Sequence, residues 1–168
     1  YTETGNHLDA IQYLEEGTKR APKNLKPHQT LGLVYEIIGR YGDATDQYRK
    51  AIHLSPDDPN IYYNLGWALI ESKKYIEALV PLKKTINLSP KNTDAYYSLG
   101  WVNGELKRYN EAIAALEETI RIDPNHSEAE NRLNMMKNQI EKRTTQRQNQ
   151  TLTTTSTLHD KPEIIINP

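Results

Sequence analysis

Cysteine is absent from the 168 residues, which excludes disulfides, thiolate metal sites and thiol catalysis without naming a compartment. No apolar run approaches the roughly 20 residues that a membrane-spanning helix needs. Charge of one sign is missing too. The formal net charge is -1, so nothing draws the chain as a whole to phosphate backbones or anionic membranes. No signal peptide is visible, and because the chain opens at Tyr1 without a methionine, further sequence is expected upstream. Apolar residues are scarce, at 36% against 26% charged, with a mean hydropathy of -0.80. That balance does not suit a large self-contained core. It suits a stack of thin layers, each of which keeps much of its surface wet.

What is present is a period. Gly32, Gly66 and Gly100 are spaced by 34 residues, as are Ala44, Ala78 and Ala112, and Pro56, Pro90 and Pro124. Each glycine follows a leucine (Leu31, Leu65, Leu99), and each proline stands two places after an aliphatic residue. Several independent columns at one fixed period do not arise from composition. Within a period the apolar spacing is helical: Tyr62, Leu65, Gly66 and Leu69 fall on one face of a first helix. Tyr75, Ala78, Leu79, Leu82 and Ile86 do the same for a second. Gly66 and Ala78 are small where a buried stripe expects bulk, as two closely approaching backbones require. Ser55-Pro56-Asp57-Asp58-Pro59 ends one helix and starts the next, with Asp58 suited to be the N-cap and Pro59 the first helical residue.

These columns resemble the tetratricopeptide repeat, whose period is 34 residues and whose unit is helix–turn–helix. The resemblance covers residues 1–143 and implies an all-α fold, a right-handed α-solenoid of antiparallel helix hairpins. Full repeats are expected at 25–58, 59–92 and 93–126. Residues 1–24 read as a partial repeat, its second helix only, with Tyr1 near the end of a first helix that is mostly missing. Residues 127–143 read as a capping helix, with Ser127 and Glu130 spaced as a capping box. Pro81 is expected to bend the second helix of its repeat. Asn103 and Gly104 weaken the first helix of the third, which makes that repeat the expected soft spot.

From Thr144 the composition turns to Thr, Gln, Ser and Asn with no helical stripe, so 144–168 is expected to be a disordered tail or linker. Ile164, Ile165 and Ile166 leave open a short strand or docking peptide. The five histidines (His7, His28, His53, His126, His159) share no helix face at ligand spacing and read as surface or turn residues. Gly39-Arg40-Tyr41-Gly42 falls at a turn, where glycine is expected. No nucleophile–base–orienter set can be assembled, so no catalytic site, cofactor or metal is expected.

The resemblance further implies that the first helices of successive repeats line a concave groove that takes a peptide or partner helix. Carried onto this chain, the groove rows are Gln29, Leu33, Glu36 and Ile37; then Tyr63, Trp67, Ile70 and Glu71; then Tyr97, Trp101, Gly104 and Glu105. Asn131, Met135 and Gln139 of the capping helix extend them. Tyr63–Trp67 and Tyr97–Trp101 repeat one period apart, each pair at the i, i+4 spacing that brings side chains together. Large aromatics of this kind dominate binding hot spots, or else they pack neighbouring repeats together. Glu36, Glu71 and Glu105 add one carboxylate per repeat, which favours a partner with apolar anchors and some Lys or Arg. Family members that grip a C-terminal carboxylate use Lys, Asn and Arg. Those columns hold Gln29, Leu33 and Tyr97 here, with only Asn64 matching, so that mode is not expected.

The leading expectation is a protein–protein interaction module or scaffold. The alternative is the regulatory arm of an enzyme, such as a glycosyltransferase or kinase, whose catalytic domain lies outside these residues. An apolar end surface at Leu8, Ile11 and Leu14 would invite self-association. RNA binding is disfavoured by acidic and aromatic groove columns.

Overall fold

The 34-residue period becomes three helical hairpins of matched dimensions. The computed structural model describes the backbone of residues 2–159 and the side chains of 7–150. Among these residues there are eight helices: α1 (Thr2–Arg20), α2 (Leu25–Ile37), α3 (Tyr41–Leu54), α4 (Pro59–Glu71), α5 (Tyr75–Leu88), α6 (Thr93–Glu105), α7 (Tyr109–Ile122) and α8 (Ser127–His159). The hairpins α2–α3, α4–α5 and α6–α7 stack in chain order into an all-α solenoid. None of the described helices is long and apolar enough to cross a membrane.

Each hairpin closes on one small residue beneath one large one. A Cβ on Gly32 would lie 2.6 Å from the Tyr48 ring, on Gly66 2.9 Å from Leu82, and on Gly100 2.7 Å from Leu116. These distances are shorter than carbon–carbon contact allows, so the glycine column and the Tyr48/Leu82/Leu116 column are two halves of one seam. Tyr48, Leu82 and Leu116 are completely buried there, beside Ala44, Ala78 and Ala112.

Turn chemistry repeats as well. The turn inside each hairpin passes through a left-handed residue: Gly39 at φ 75°, then Lys73 and Lys107 at φ 59°. The next amide reaches back five residues, from Arg40 to Tyr35, Lys74 to Leu69 and Arg108 to Asn103. At the opposite edge, Asn24, Asp58 and Asn92 accept bonds from the amides of Lys26, Asn60 and Ala95. The fourth cap departs from expectation. His126 Nδ1 accepts from Ala129 N at 3.2 Å, in place of a capping box built on Ser127 and Glu130.

Several other expectations are corrected. Helix α1 runs without a break from Thr2, through the positions one period before the Ile38–Arg40 turn, so it holds no remnant of the hairpin turn expected after Tyr1. Ile11 is buried among the core residues, which leaves Leu8 and Tyr13 as the exposed apolar side chains of α1. Tyr35 binds this helix down: its hydroxyl donates to Glu15 at 2.7 Å. Burial and that carboxylate push the phenol up to about 12. His28 is 4% exposed, with its ring nitrogens 2.9 Å from Gln47 Oε1 and 3.2 Å from the Pro22 carbonyl, so it is a core residue. Pro81, expected to bend its helix, lies buried inside α5.

Helix α8 outruns the boundary expected at Arg143 and continues through residues 144–159. Thr144 and Thr145 hydroxyls donate to the carbonyls of Ile140 and Glu141, one turn back. Extending an existing helix costs far less than nucleating one. Ile164–Ile166 lie outside the described residues.

Candidate partner-binding wall

The first helices stand side by side, α4 touching α6 and α6 touching α8, so their outer faces form one wall. Side-chain fate on this wall depends on small differences in register. Leu33 and Ile37 are 44% and 68% exposed and form an aliphatic patch on α2. Trp67 on α4 is 43% exposed. Glu71 and Glu105 are exposed, whereas Glu36 is half-buried.

The reason is arithmetic. Glu71 and Glu105 are one period apart, but Glu36 stands 35 residues before Glu71 and shares its column with Ile70 and Gly104. One residue is about 100° of helix, enough to turn Glu36 inward. Its Oε1 is buried with no hydrogen-bond partner, as is the Tyr48 hydroxyl. The phenol faces the carboxyl closely enough to favour its charged form, although no hydrogen bond of normal geometry joins them. Burial dominates and, with the Glu71 charge, raises Glu36 from 4.5 to about 7. Ile70 in the same column is 5% exposed, so its expected place on the groove surface is corrected: it forms the floor. Gly104 has Met136 Sδ 3.2 Å from where its Cβ would be, so α8 approaches across it. Asn103 beside it is buried, its amide donating to the Leu99 carbonyl. Gly104, half of the pair expected to weaken α6, is also where α8 is seated.

The two tyrosine–tryptophan pairs divide their work. Tyr63 is half-buried against the main core and near Ser98 of α6, and burial raises its phenol. Tyr97 packs on the His126 ring with centroids 4.7 Å apart. Tyr63 therefore reaches to the following repeat and Tyr97 to the residue that caps α8, as the packing alternative allowed. Trp101 is half-buried and meets the Tyr75 ring in a T-shaped contact, centroids 5.4 Å apart. Between α4 and α6 a cleft of about 240 Å³ remains, lined by Trp67, Ile70, Glu71, Tyr97, Ser98 and Trp101. Five of the ten expected partner-binding residues meet in it. Leu33, Glu36 and Ile37 lie towards the N-terminal end of the wall, and Tyr63 and Glu105 are not part of its lining. Ser98 was not foreseen, since serine in a helix carries no binding signal of its own. No group of three or more His, Asp or Glu suited to a metal occurs among the described residues.

Tetratricopeptide-repeat sequence profiles match residues 59–92 and 93–126, and a related profile of the same repeat matches 37–70. A crystal structure of MamA is 30% identical, covers 80% of this chain and 79% of that one, and superposes with a TM-score of 0.76. The chain is a tetratricopeptide repeat protein. A second solved relative is the first tetratricopeptide domain of Spaghetti (RPAP3), bound to an HSP90 peptide. It is 26% identical, with 70% of this chain and 93% of that one covered and a TM-score of 0.67. Among curated proteins, the BBSome complex member BBS4 homolog of Drosophila melanogaster is 32% identical over 65 residues. That match spans 38% of this chain and 13% of the relative, so the chain corresponds to a small part of it.

Proposed function

We propose that this tetratricopeptide array is a non-catalytic protein-interaction module that holds a peptide or partner helix along the wall of α2, α4 and α6. The observation that carries the reading is the cleft between α4 and α6, where two tryptophans, a tyrosine and Ile70 gather beside an exposed carboxylate. Partly exposed aromatics around an apolar floor are the usual anchors of protein recognition. The peptide-bound relative supports the same use of the fold. The chemistry of the guest should differ from that of an acidic tail, because the exposed Glu71 and Glu105 would repel one. A partner with large apolar side chains and some Lys or Arg complements this wall. Nucleic acid and membrane surfaces are poorer guests for the same electrostatic reason.

Trp67→Ala tests the reading. The side chain is 43% exposed, so unfolding midpoints should hold. Capture of peptides selected on the wild-type array should fall by about tenfold or more. Undiminished capture by a folded variant would reject the wall as the binding surface.

A further inference from the structure

We infer that the cleft between α4 and α6 receives an arginine side chain from the partner, its guanidinium lying on Trp67 and paired with Glu71. This rests on the groove reading above and sharpens it to one residue type. The protein already contains the interaction one period later. Trp101 and Glu105 stand at i and i+4 on α6, as Trp67 and Glu71 do on α4. There the Arg132 guanidinium of α8 lies over the Trp101 ring at 5.5 Å, and its Nη1 is 3.9 Å from Glu105 Oε1. A planar cation on an indole face beside a carboxylate is a favourable pairing, and guanidinium suits it better than ammonium.

The residue one period before Arg132 is Ser98. Ser98 lines the cleft and carries no cation to set on Trp67 or beside Glu71. The Trp–Glu pair of α4 is thus built like that of α6 but lacks its internal cation, and a space of about 240 Å³ stands open beside it. Among the described ion pairs and cation–ring contacts, none engages Trp67 or Glu71. The array therefore closes its C-terminal slot with its own arginine and leaves the preceding one for a guest.

Selecting binders to the intact chain from a random peptide display library tests this. The expected result is an arginine at one fixed place among large apolar residues. Replacing it by citrulline, which keeps the shape and loses the charge, should weaken binding about tenfold, and Glu71→Gln should cause a similar loss. Ser98→Arg, which installs the missing internal cation, should abolish capture while helicity by circular dichroism is kept. Binders with a fixed lysine, with no fixed cation, or with undiminished affinity as the citrulline form would overturn the assignment and leave the groove reading standing. A library that yields no binder at all rejects the groove reading itself, and this inference with it.

Discussion

The seam inside each hairpin and the wall outside it obey different rules. At the seam, Gly32 with Tyr48, Gly66 with Leu82 and Gly100 with Leu116 repeat one solution three times. On the wall, one column reads Glu36, Ile70 and Gly104, and each of the three does something different. The first is a half-buried carboxyl with one unpartnered oxygen, the second the floor of a cleft, the third a bed for Met136. Repetition marks what every layer needs in order to stack. Departures from it mark where the layers differ in what they hold, and the aromatic cleft sits among the departures.

The largest effect should come from breaking the seam. Gly100→Val would press branched carbons into Leu116, where even a Cβ comes within 2.7 Å. A loss of about 3 kcal/mol is expected from overpacking of this kind, read by urea unfolding. A variant as stable as wild type would mean a seam looser than the 2.7 Å approach implies.

Altering the wall at Glu36 should act in the opposite direction. Glu36→Ile installs the residue that the second repeat carries in that column. It should stabilise the chain by on the order of 2 kcal/mol at pH 8 and by little at pH 4. The sign follows from the upward shift. Below about 4.5 the carboxyl is neutral whether the chain is folded or not. Between 4.5 and about 7 the unfolded chain gives up its proton first, so stability falls as pH rises, and above that the loss is complete. Unfolding midpoints across this range should slope downward for wild type and lie flatter for the variant. Equal slopes would place the pH dependence elsewhere.

The smallest effect should be at the cap. Arg132→Ser recreates the Ser98 arrangement in the last slot, removing the cation from Trp101 and Glu105. The cost should be about 0.5–1 kcal/mol, because Arg132 and Glu105 both keep contact with water. Acrylamide should quench Trp101 more strongly as the slot opens. Unchanged quenching would mean that Arg132 does not cover the indole.

How legible this was varied by residue. Asp58 and Pro59 could be placed as N-cap and first helical residue because capping needs only local chemistry. His126 stands one period after the Asn92 cap, yet histidine is not among the usual capping residues, and its ring nitrogen is aimed by stacking on Tyr97. Trp67 and Glu71 were readable as groove candidates through the resemblance to the tetratricopeptide repeat. Ser98 and Arg132, which decide whether a slot is open or closed, were not. Neither residue type signals anything until the helix before it is in place.

The sequence by itself determined the layer: the 34-residue period, the small-over-large seam, the caps and the helical faces, all set by interactions within one or two turns or one hairpin. The tertiary structure alone decided which wall residues are surface and which are floor. That choice depends on a 100° rotation and on what the following repeat brings against it, and neither is encoded in the spacing of any single helix.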